Sequence, residues 1–433
     1  MDLLMLPGWR ATGHEPAMDG SLIVTVELTA PKVPACTCEA PKVLKHGTRR
    51  VHFRDNPINR QPVKLRITRQ RYRCQACGAI LLEDLPGMDA DRQMTIRFRR
   101  GIAKDAIGHT FTAAAHINGV KESLVRRVFA EYAAHQLEGY RPRLPRVLGM
   151  DEKVISGKPR FVIGDVEARQ MLDMTFSRQH TDLKEYFHAM AGDRLRVEVI
   201  TQDMYWPYKN LNELYFRQAV IVIDKFHVVR YANLAVEAVR KKIQAGLDND
   251  GRISLKRKLR LLAARPANLD DQGRIALKHV LRDHPALDMA VQLKELFYDI
   301  YESQTPAEAE KHFEAWKSMV PPEMTKPFKE VLSFMQNRRW RRLILNYFEH
   351  PYTNAYVETL NGLIDQINRS GRGYNLDVLR AKALLRYGEV KRVFPSLRPD
   401  VRKALGGIEV PMHMGHGIDL STFERDAARA AFW

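Results

Sequence analysis

Three carboxylates stand where a folded chain can present them to one another. Asp151 follows the apolar run Val147-Leu148-Gly149-Met150, and Asp203 follows Val199-Ile200-Thr201-Gln202. Glu358 closes the stretch Tyr352-Thr353-Asn354-Ala355-Tyr356-Val357-Glu358. Hard oxygen ligands at two strand ends and on one helix suit magnesium or manganese. Two such ions about 3.5–4 Å apart support in-line phosphoryl transfer, one activating a water or 3′-hydroxyl and the other stabilising the leaving oxygen. Asp151, Asp203 and Glu358 are therefore the candidate catalytic residues.

The surrounding elements predict how they meet. A first strand ends at Asp151, and residues 161–166 and 171–176 continue it as an antiparallel meander. A helix with Leu183, Tyr186, Phe187 and Met190 on one face follows. A fourth strand, from Val197, ends at Asp203, and a second helix carries Tyr205, Tyr208, Leu211 and Leu214. The fifth strand, Ala219-Val220-Ile221-Val222-Ile223, runs into Asp224-Lys225-Phe226-His227. Three meandering strands, then strands alternating with helices, is the succession of a ribonuclease-H-like α/β core. In the usual order of that core the first and fourth strands are neighbours, about 4.8 Å apart. Asp151 and Asp203 then share a site, while Asp224, one strand further out, supports it together with His227. Asp224 reads equally well as a helix N-cap. Glu152 faces away from Asp151 by strand alternation. On the last helix, Asn354, Glu358, Asn361 and Asp365 form a polar face, and Val357, Leu360, Ile364 and Ile367 an apolar one. Taken alone, that polar face could equally be a solvated one.

At 433 residues the chain exceeds one compact core. Hydrophobic content of 45% and aromatic content of 9% exclude a disordered chain. With 69 Lys and Arg against 51 Asp and Glu, the formal net charge is +18, which suits a polyanionic partner, nucleic acid first. No apolar run of about 18 residues predicts a membrane span. The start, Met1-Asp2-Leu3-Leu4-Met5-Leu6-Pro7, makes a poor signal peptide, so a cytoplasmic location is expected.

In that compartment four cysteines point to metal instead of disulfides. Cys36 and Cys38, then Cys74 and Cys77, are two close pairs separated by strand-like sequence, as in a zinc ribbon spanning about residues 1–90. The other reading is four buried thiols. Residues 91–140 hold a helix, the turn Asn118-Gly119 and a second helix. Ala114, Ala115 and Ile117 give the first helix its packing face, and Leu124, Val125 and Val128 anchor the second. Lys121, Ser123, Arg126 and Arg127 stay available for a DNA groove, as in a helix-turn-helix; an ordinary helical hairpin is the alternative. The stretch Tyr140-Arg141-Pro142-Arg143-Leu144-Pro145-Arg146 reads as a stiff linker. The first part of the core then spans residues 147–235. Residues 236–345 form an all-helical insertion with basic runs at Arg240-Lys241-Lys242 and 256–260, and with Trp316 and Trp340 among arginines, a suitable grip for DNA phosphates. Residues 346–433 supply the last catalytic helix and a tail.

Together these stretches resemble a bacterial insertion-sequence transposase of the DDE type, in the ISL-three family. The resemblance rests on the cysteine ribbon, the helix-turn-helix, Leu148-Gly149-Met150-Asp151-Glu152, Asp224-Lys225-Phe226-His227-Val228-Val229, Thr353-Asn354-Ala355-Tyr356-Val357-Glu358-Thr359-Leu360-Asn361 and Arg369-Ser370-Gly371-Arg372-Gly373-Tyr374. Cys36-Thr37-Cys38, with one intervening residue, departs from the usual ribbon spacing. The resemblance implies binding to terminal inverted repeats, cleavage there and strand transfer into target double-stranded DNA. It also implies a homodimer or larger assembly when two ends are paired, and a nucleoid-associated location. Asp151 matches the first acidic residue and Glu358 the third. Asp203 matches the middle one by strand position, and Asp224 with His227 matches an Asp-x-x-His motif near the site. Two rivals remain open at this point: a non-catalytic DNA-binding regulator derived from a transposase, and a structure-selective nuclease without strand transfer.

Overall fold

The computed structural model of the chain describes residues 4–39, 42–59, 61–177, 179–190 and 192–388. The C-terminal tail expected from the sequence lies outside them. The described residues form two compact units, 4–140 with 367–386, and 141–366 with 387–388.

The first unit opens with strands β1 (Trp9–Pro16), β2 (Leu22–Leu28), β3 (Val43–Ile58), β4 (Gln61–Cys74), β5 (Ile80–Leu82), β6 (Met88–Asp89) and β7 (Met94–Thr95). They pair in the order β1-β2-β4-β3-β7-β6, with β5 beside β4. Alternation decides which face is buried: Val24, Val26, Phe53, Val63, Leu65 and Ile67 point inward with Trp9.

Helices α1 (Ile96–Gly108), α2 (Phe111–Asn118) and α3 (Glu122–Gln136) follow. Thr95 caps α1 and Thr110 caps α2, each hydroxyl accepting from the third amide on. Gly119, at φ 60°, takes the left-handed turn between α2 and α3. Phe111, Ala114, Ala115 and Asn118 form the inward face of α2. The Asn118 amide donates to Asp105 and to the Ala114 carbonyl. That face leaves Ile117 outside, 49% exposed, so its expected packing role is corrected. Val125 and Val128 are buried on α3, while Lys121, Ser123, Arg126 and Arg127 are exposed.

The second unit is built on β8 (Val147–Ile155), β9 (Lys158–Asp165), β10 (Gln170–Met174), β11 (Val199–Gln202) and β12 (Val220–Ile223). Their order is β10-β9-β8-β11-β12. The first three are antiparallel, and β11 runs parallel to both β8 and β12. Helices α4 (His180–His188), α5 (Trp206–Tyr215) and α6 (Lys225–Ala245) alternate with the later strands. The first strand does not stop at Asp151. Its antiparallel ladder with β9 continues from Asp151↔Val162 to Ile155↔Lys158, whereas its parallel ladder with β11 ends at Gly149↔Thr201. On α5 the packing residues are Tyr208 and Leu211; Tyr205 and Leu214 are exposed.

Residues 249–345 form the helices α7 (Asn249–Arg257), α8 (Leu259–Ala263), α9 (Asp271–Asp283), α10 (Pro285–Asp299), α11 (Pro306–Met319), α12 (Pro322–Thr325), α13 (Lys329–Gln336) and α14 (Arg338–Leu345). Trp316 and Trp340 belong to their apolar core and are not surface residues. Arg240 is also buried, bonded to both oxygens of Glu237 and to Gln244, so it is not free to hold phosphate.

Two helices end the described chain, α15 (Ala355–Ser370) and α16 (Leu376–Tyr387). Residues 367–386 group with the first unit. There the buried Lys382 ammonium donates to the Ala106 and His109 carbonyls at the end of α1, among the rings of Phe111, Phe129 and Tyr374. It satisfies carbonyls that a helix end leaves open.

The start of α15 lies against β8 and β9, because two glycines leave room for it. A Cβ on Gly149 would fall 2.5 Å from Val357 Cγ2, 2.9 Å from Val166 Cγ2 and 3.1 Å from Asn354 Oδ1. One on Gly164 would meet Leu360 and Tyr356. Gly149→Ala is therefore expected to lower stability by about 1–3 kcal/mol, as overpacking does. Thermal unfolding checks this; an unchanged midpoint would contradict the close seating of α15.

Candidate functional site

The parallel registers set the site. In β11 and β8, Val199 lies opposite Val147 and Thr201 opposite Gly149. Continuing that register brings Asp203 level with Asp151. In β11 and β12, Gln202 lies opposite Ile223, so Asp203 is also level with Asp224. Three carboxylates thus share one end and one face of adjacent strands, with spacings of about 4.8 Å. Asp203 is the central one. It is the same face on which α15 brings Glu358.

Each carboxylate is held differently. Asp151 is buried; its Oδ1 accepts from the Glu152 amide at 2.7 Å and its Oδ2 from the Asn361 side chain at 2.6 Å. Asp224 is fully buried and caps α6 by accepting from the His227 amide at 3.3 Å. Its other oxygen accepts from the Asn354 amide at 3.0 Å. Of the two sequence readings of Asp224, the helix cap is the one its hydrogen bonds show. Asn354 also donates to the Met150 carbonyl at 2.7 Å and accepts from Thr201 at 3.2 Å. This one amide ties the start of α15 to two strands. No sequence pattern marked it beyond its place on the polar face.

His227 Nδ1 lies 2.8 Å from Asp203 Oδ1 and 3.5 Å from Asp224 Oδ2. The set whose ligand atoms all fall within 4.8 Å of one another is Asp224, His227 and Glu358. Asp151 and Asp203 are not members of that set; they adjoin it. Asp203 reaches it through His227, and a cavity of about 320 Å³ is lined by Asp151, Glu152, Asp203, Met204, Tyr205, Tyr208, His227 and Tyr231. Glu152, on the alternate face of β8, accepts from Tyr208 at 3.3 Å.

The electrostatics follow from burial and crowding. Burial, then Asp203 and Glu358, push Asp151 up to about 7. Burial, then Asp224 and Asp203, push Glu358 up to about 7. Burial alone would lower His227, but its contacts with Asp203 and Asp224 hold it up at about 10. At neutral pH it is an imidazolium that pairs with these acids. Asn361 Oδ1 is buried without a hydrogen-bond partner among the described residues, while Asp203 Oδ1 faces His227 Nδ1 at 2.8 Å. Crowded carboxylates of raised proton affinity are what a hard divalent cation would complete.

A second cluster lies in the first unit. Cys36, Cys38, Cys74 and Cys77 place all four sulfurs within 4.8 Å of one another. Cys36 lies 3.5 Å from Cys77, and Cys38 3.6 Å from Cys74. A tetrahedral ion with metal–sulfur bonds of about 2.3 Å places its sulfurs about 3.8 Å apart. The Cys-x-Cys spacing therefore does not prevent closure. Backbone amides at Cys77 and Lys42 pull the Cys74 thiol down, while its neighbouring thiols push Cys38 and Cys77 up, as crowded sulfurs sharing few protons do.

On α3, Arg126 is engaged by Glu122 at 2.6 Å and lies over the Phe111 ring. Ser123, Arg127 and Lys121, the residue just before α3, are exposed and make no ion pair among the described residues.

A helix-turn-helix and a strand-end carboxylate cluster on one chain mark a protein that acts on DNA. Residues 83–133 match the helix-turn-helix domain of transposase family ISL3, and residues 148–383 match the transposase model of the same family. The chain belongs to this family. It is also similar to the transposase for insertion sequence element IS1001 of Bordetella parapertussis, with 25% identity over 390 residues, covering 85% of this chain and 93% of that one. No helix among the described residues is long and apolar enough to cross a membrane.

A pH dependence follows. Asp151 and Glu358, with folded values of about 7, keep protons that the unfolded chain has already released above about pH 4. Their contribution to stability is complete below that point and is lost as pH rises through about 7. A divalent cation must displace these protons, so its stabilisation of the protein should be larger at pH 8 than at pH 6. Melting curves with and without millimolar magnesium check this; equal gains at both pH values would contradict it.

Proposed function

We propose that this transposase cuts DNA at the ends of an insertion element and joins them to a target, using Asp151, Asp203 and Glu358. The observation that supports the reading is the parallel register of β8, β11 and β12, which ends one or two residues short of Asp151, Asp203 and Asp224, with Glu358 beside Asp224. The strand order β10-β9-β8-β11-β12 is the order expected of a ribonuclease-H-like core, first and fourth strands adjacent.

When bound, paired magnesium or manganese ions would activate the attacking oxygen and stabilise the leaving one. Asp151 and Asp203 would hold them from the strands and Glu358 from α15. Asn361 fixes the orientation of Asp151 through its 2.6 Å bond. His227, as a cation, restrains the Asp203 carboxylate, and Asp224 anchors both α6 and the start of α15. The cavity in front of Asp151 and Asp203 supplies room for a phosphodiester.

The four cysteines would hold zinc, tying the end of β4 to the segment before β3 at the edge of a module that also has its own apolar core. Lys121, at the start of α3, with Ser123 and Arg127 on it, would enter a major groove at the element end. Arg126 would do so only by exchanging Glu122 for DNA. Two ends must be paired for transfer, so the active assembly would be at least a dimer.

Asp151→Asn should abolish metal-dependent nicking of element-end DNA while leaving its binding unchanged. Retained cutting would overturn the assignment. With labelled ends and a target plasmid, joined product is expected; cutting without joining would leave a nuclease. The purified protein should carry one zinc per chain by elemental analysis, and replacing Cys74 and Cys77 by serine should remove it and destabilise the first unit. Absence of zinc from the native chain would contradict the cysteine assignment.

A further inference from the structure

We propose that the outward face of the β3–β4 ribbon is a second DNA-binding surface, gripping the phosphate backbone of the duplex beside the site read by α3. The proposal rests on the DNA-binding reading above and adds a surface to it.

The ribbon has two unlike faces. In its antiparallel ladder Val51 lies opposite Ile67 and Phe53 opposite Leu65, and these residues face the core. The intervening residues face outward in the same register: Arg50 opposite Thr68, His52 opposite Arg66, and Arg54 opposite Lys64. Basic side chains directly across a sheet repel one another and weaken the pairing. The Arg54–Lys64 pair, with Arg50 two positions beyond His52 on the same face, concentrates positive charge there.

The fold supplies only part of the counter-charge. Lys64 pairs with Asp19 at 2.5 Å and Arg66 with Glu15 at 2.6 Å. Among the described residues no carboxylate pairs with Arg50, His52 or Arg54, and all three are exposed. From Arg50 to Arg54 the strand covers about 14 Å, close to the axial rise of four phosphates on one DNA strand at about 3.4 Å each.

The row of outward cations also starts beside the helix-turn-helix. A Cβ on Gly119, in the turn between α2 and α3, would lie 3.7 Å from Pro62 Cγ. Pro62 is two residues from Lys64, which sits across from Arg54. The outward cations therefore run away from the recognition turn toward the cysteine cluster at the other end of the ribbon, where Val43 pairs with Cys74. A duplex held by α3 would continue along this face.

Phosphate contacts carry no sequence information, so a labelled random-sequence duplex of about 40 base pairs is the probe, with the full chain and salt titrated. Replacing Arg50 and Arg54 together by threonine keeps strand-forming residues. It should weaken binding at least tenfold and reduce the salt slope by about 1.8, or about 0.9 per lost contact. Replacing both by lysine should keep the slope. If the threonine pair loses its fold, Arg54→Gln alone carries the test, with a slope change of about 0.9. An unchanged slope in a folded variant overturns the proposal, as does tighter binding to single-stranded RNA of equal length. The two readings fail separately. Normal binding by the arginine variants, with nicking still lost in Asp151→Asn, removes the ribbon surface and leaves the transposase reading. Nicking by Asp151→Asn removes the catalytic assignment whatever the slope.

Discussion

The parallel pairing of β11 between β8 and β12 is the constraint on which the site depends. Side chains on a strand alternate, so a slip of one residue would turn Asp203 to the opposite face. The register is fixed by apolar packing: Val147, Val199 and Val222 form one small cluster, while Leu148, Met150 and Ile200 join the larger core on the other face. Burying both faces leaves no freedom to slip. Valines two residues or more from the acids therefore determine where carboxylates meet.

The second requirement is the close approach of α15. Gly149 admits Val357 and Asn354, and Asn354 then bonds to Met150, Thr201 and Asp224. With the start of the helix pinned, Glu358 comes beside Asp224 and His227, and Asn361 reaches Asp151. The crowding has an electrostatic consequence. Buried acids gather around one imidazolium, and the remaining repulsion raises the proton affinity of Asp151 and Glu358. Such an arrangement is poised for cations.

Much of this was legible in the sequence because it is local. Apolar runs marked the strands, although β8 continues past Asp151, Asn118-Gly119 marked the turn, and paired cysteines marked the sulfur cluster. Properties set by distant packing were not legible. Ile117 belongs to an apolar helix, yet the Asn118–Asp105 bond fixes a face that excludes it. Trp316 and Trp340, read among arginines, are core residues. Arg240 lies in a basic run but is buried against Glu237. Lys294 and Lys382 are also buried, each bonded to backbone carbonyls at a helix end. A count of positive charge cannot separate such lysines from those that could meet DNA. Nor does the sequence show that residues 367–386 fold with the helix-turn-helix unit, because that grouping rests on contacts such as Lys382 to Ala106.

The most direct measurement is a crystal soaked with manganese above pH 7.5, with anomalous scattering used to locate the ions. The account predicts density bonded to oxygens of Asp151 and Asp203, with Glu358 completing the coordination. Manganese found elsewhere, with these three side chains free of it at saturating concentration, would contradict it.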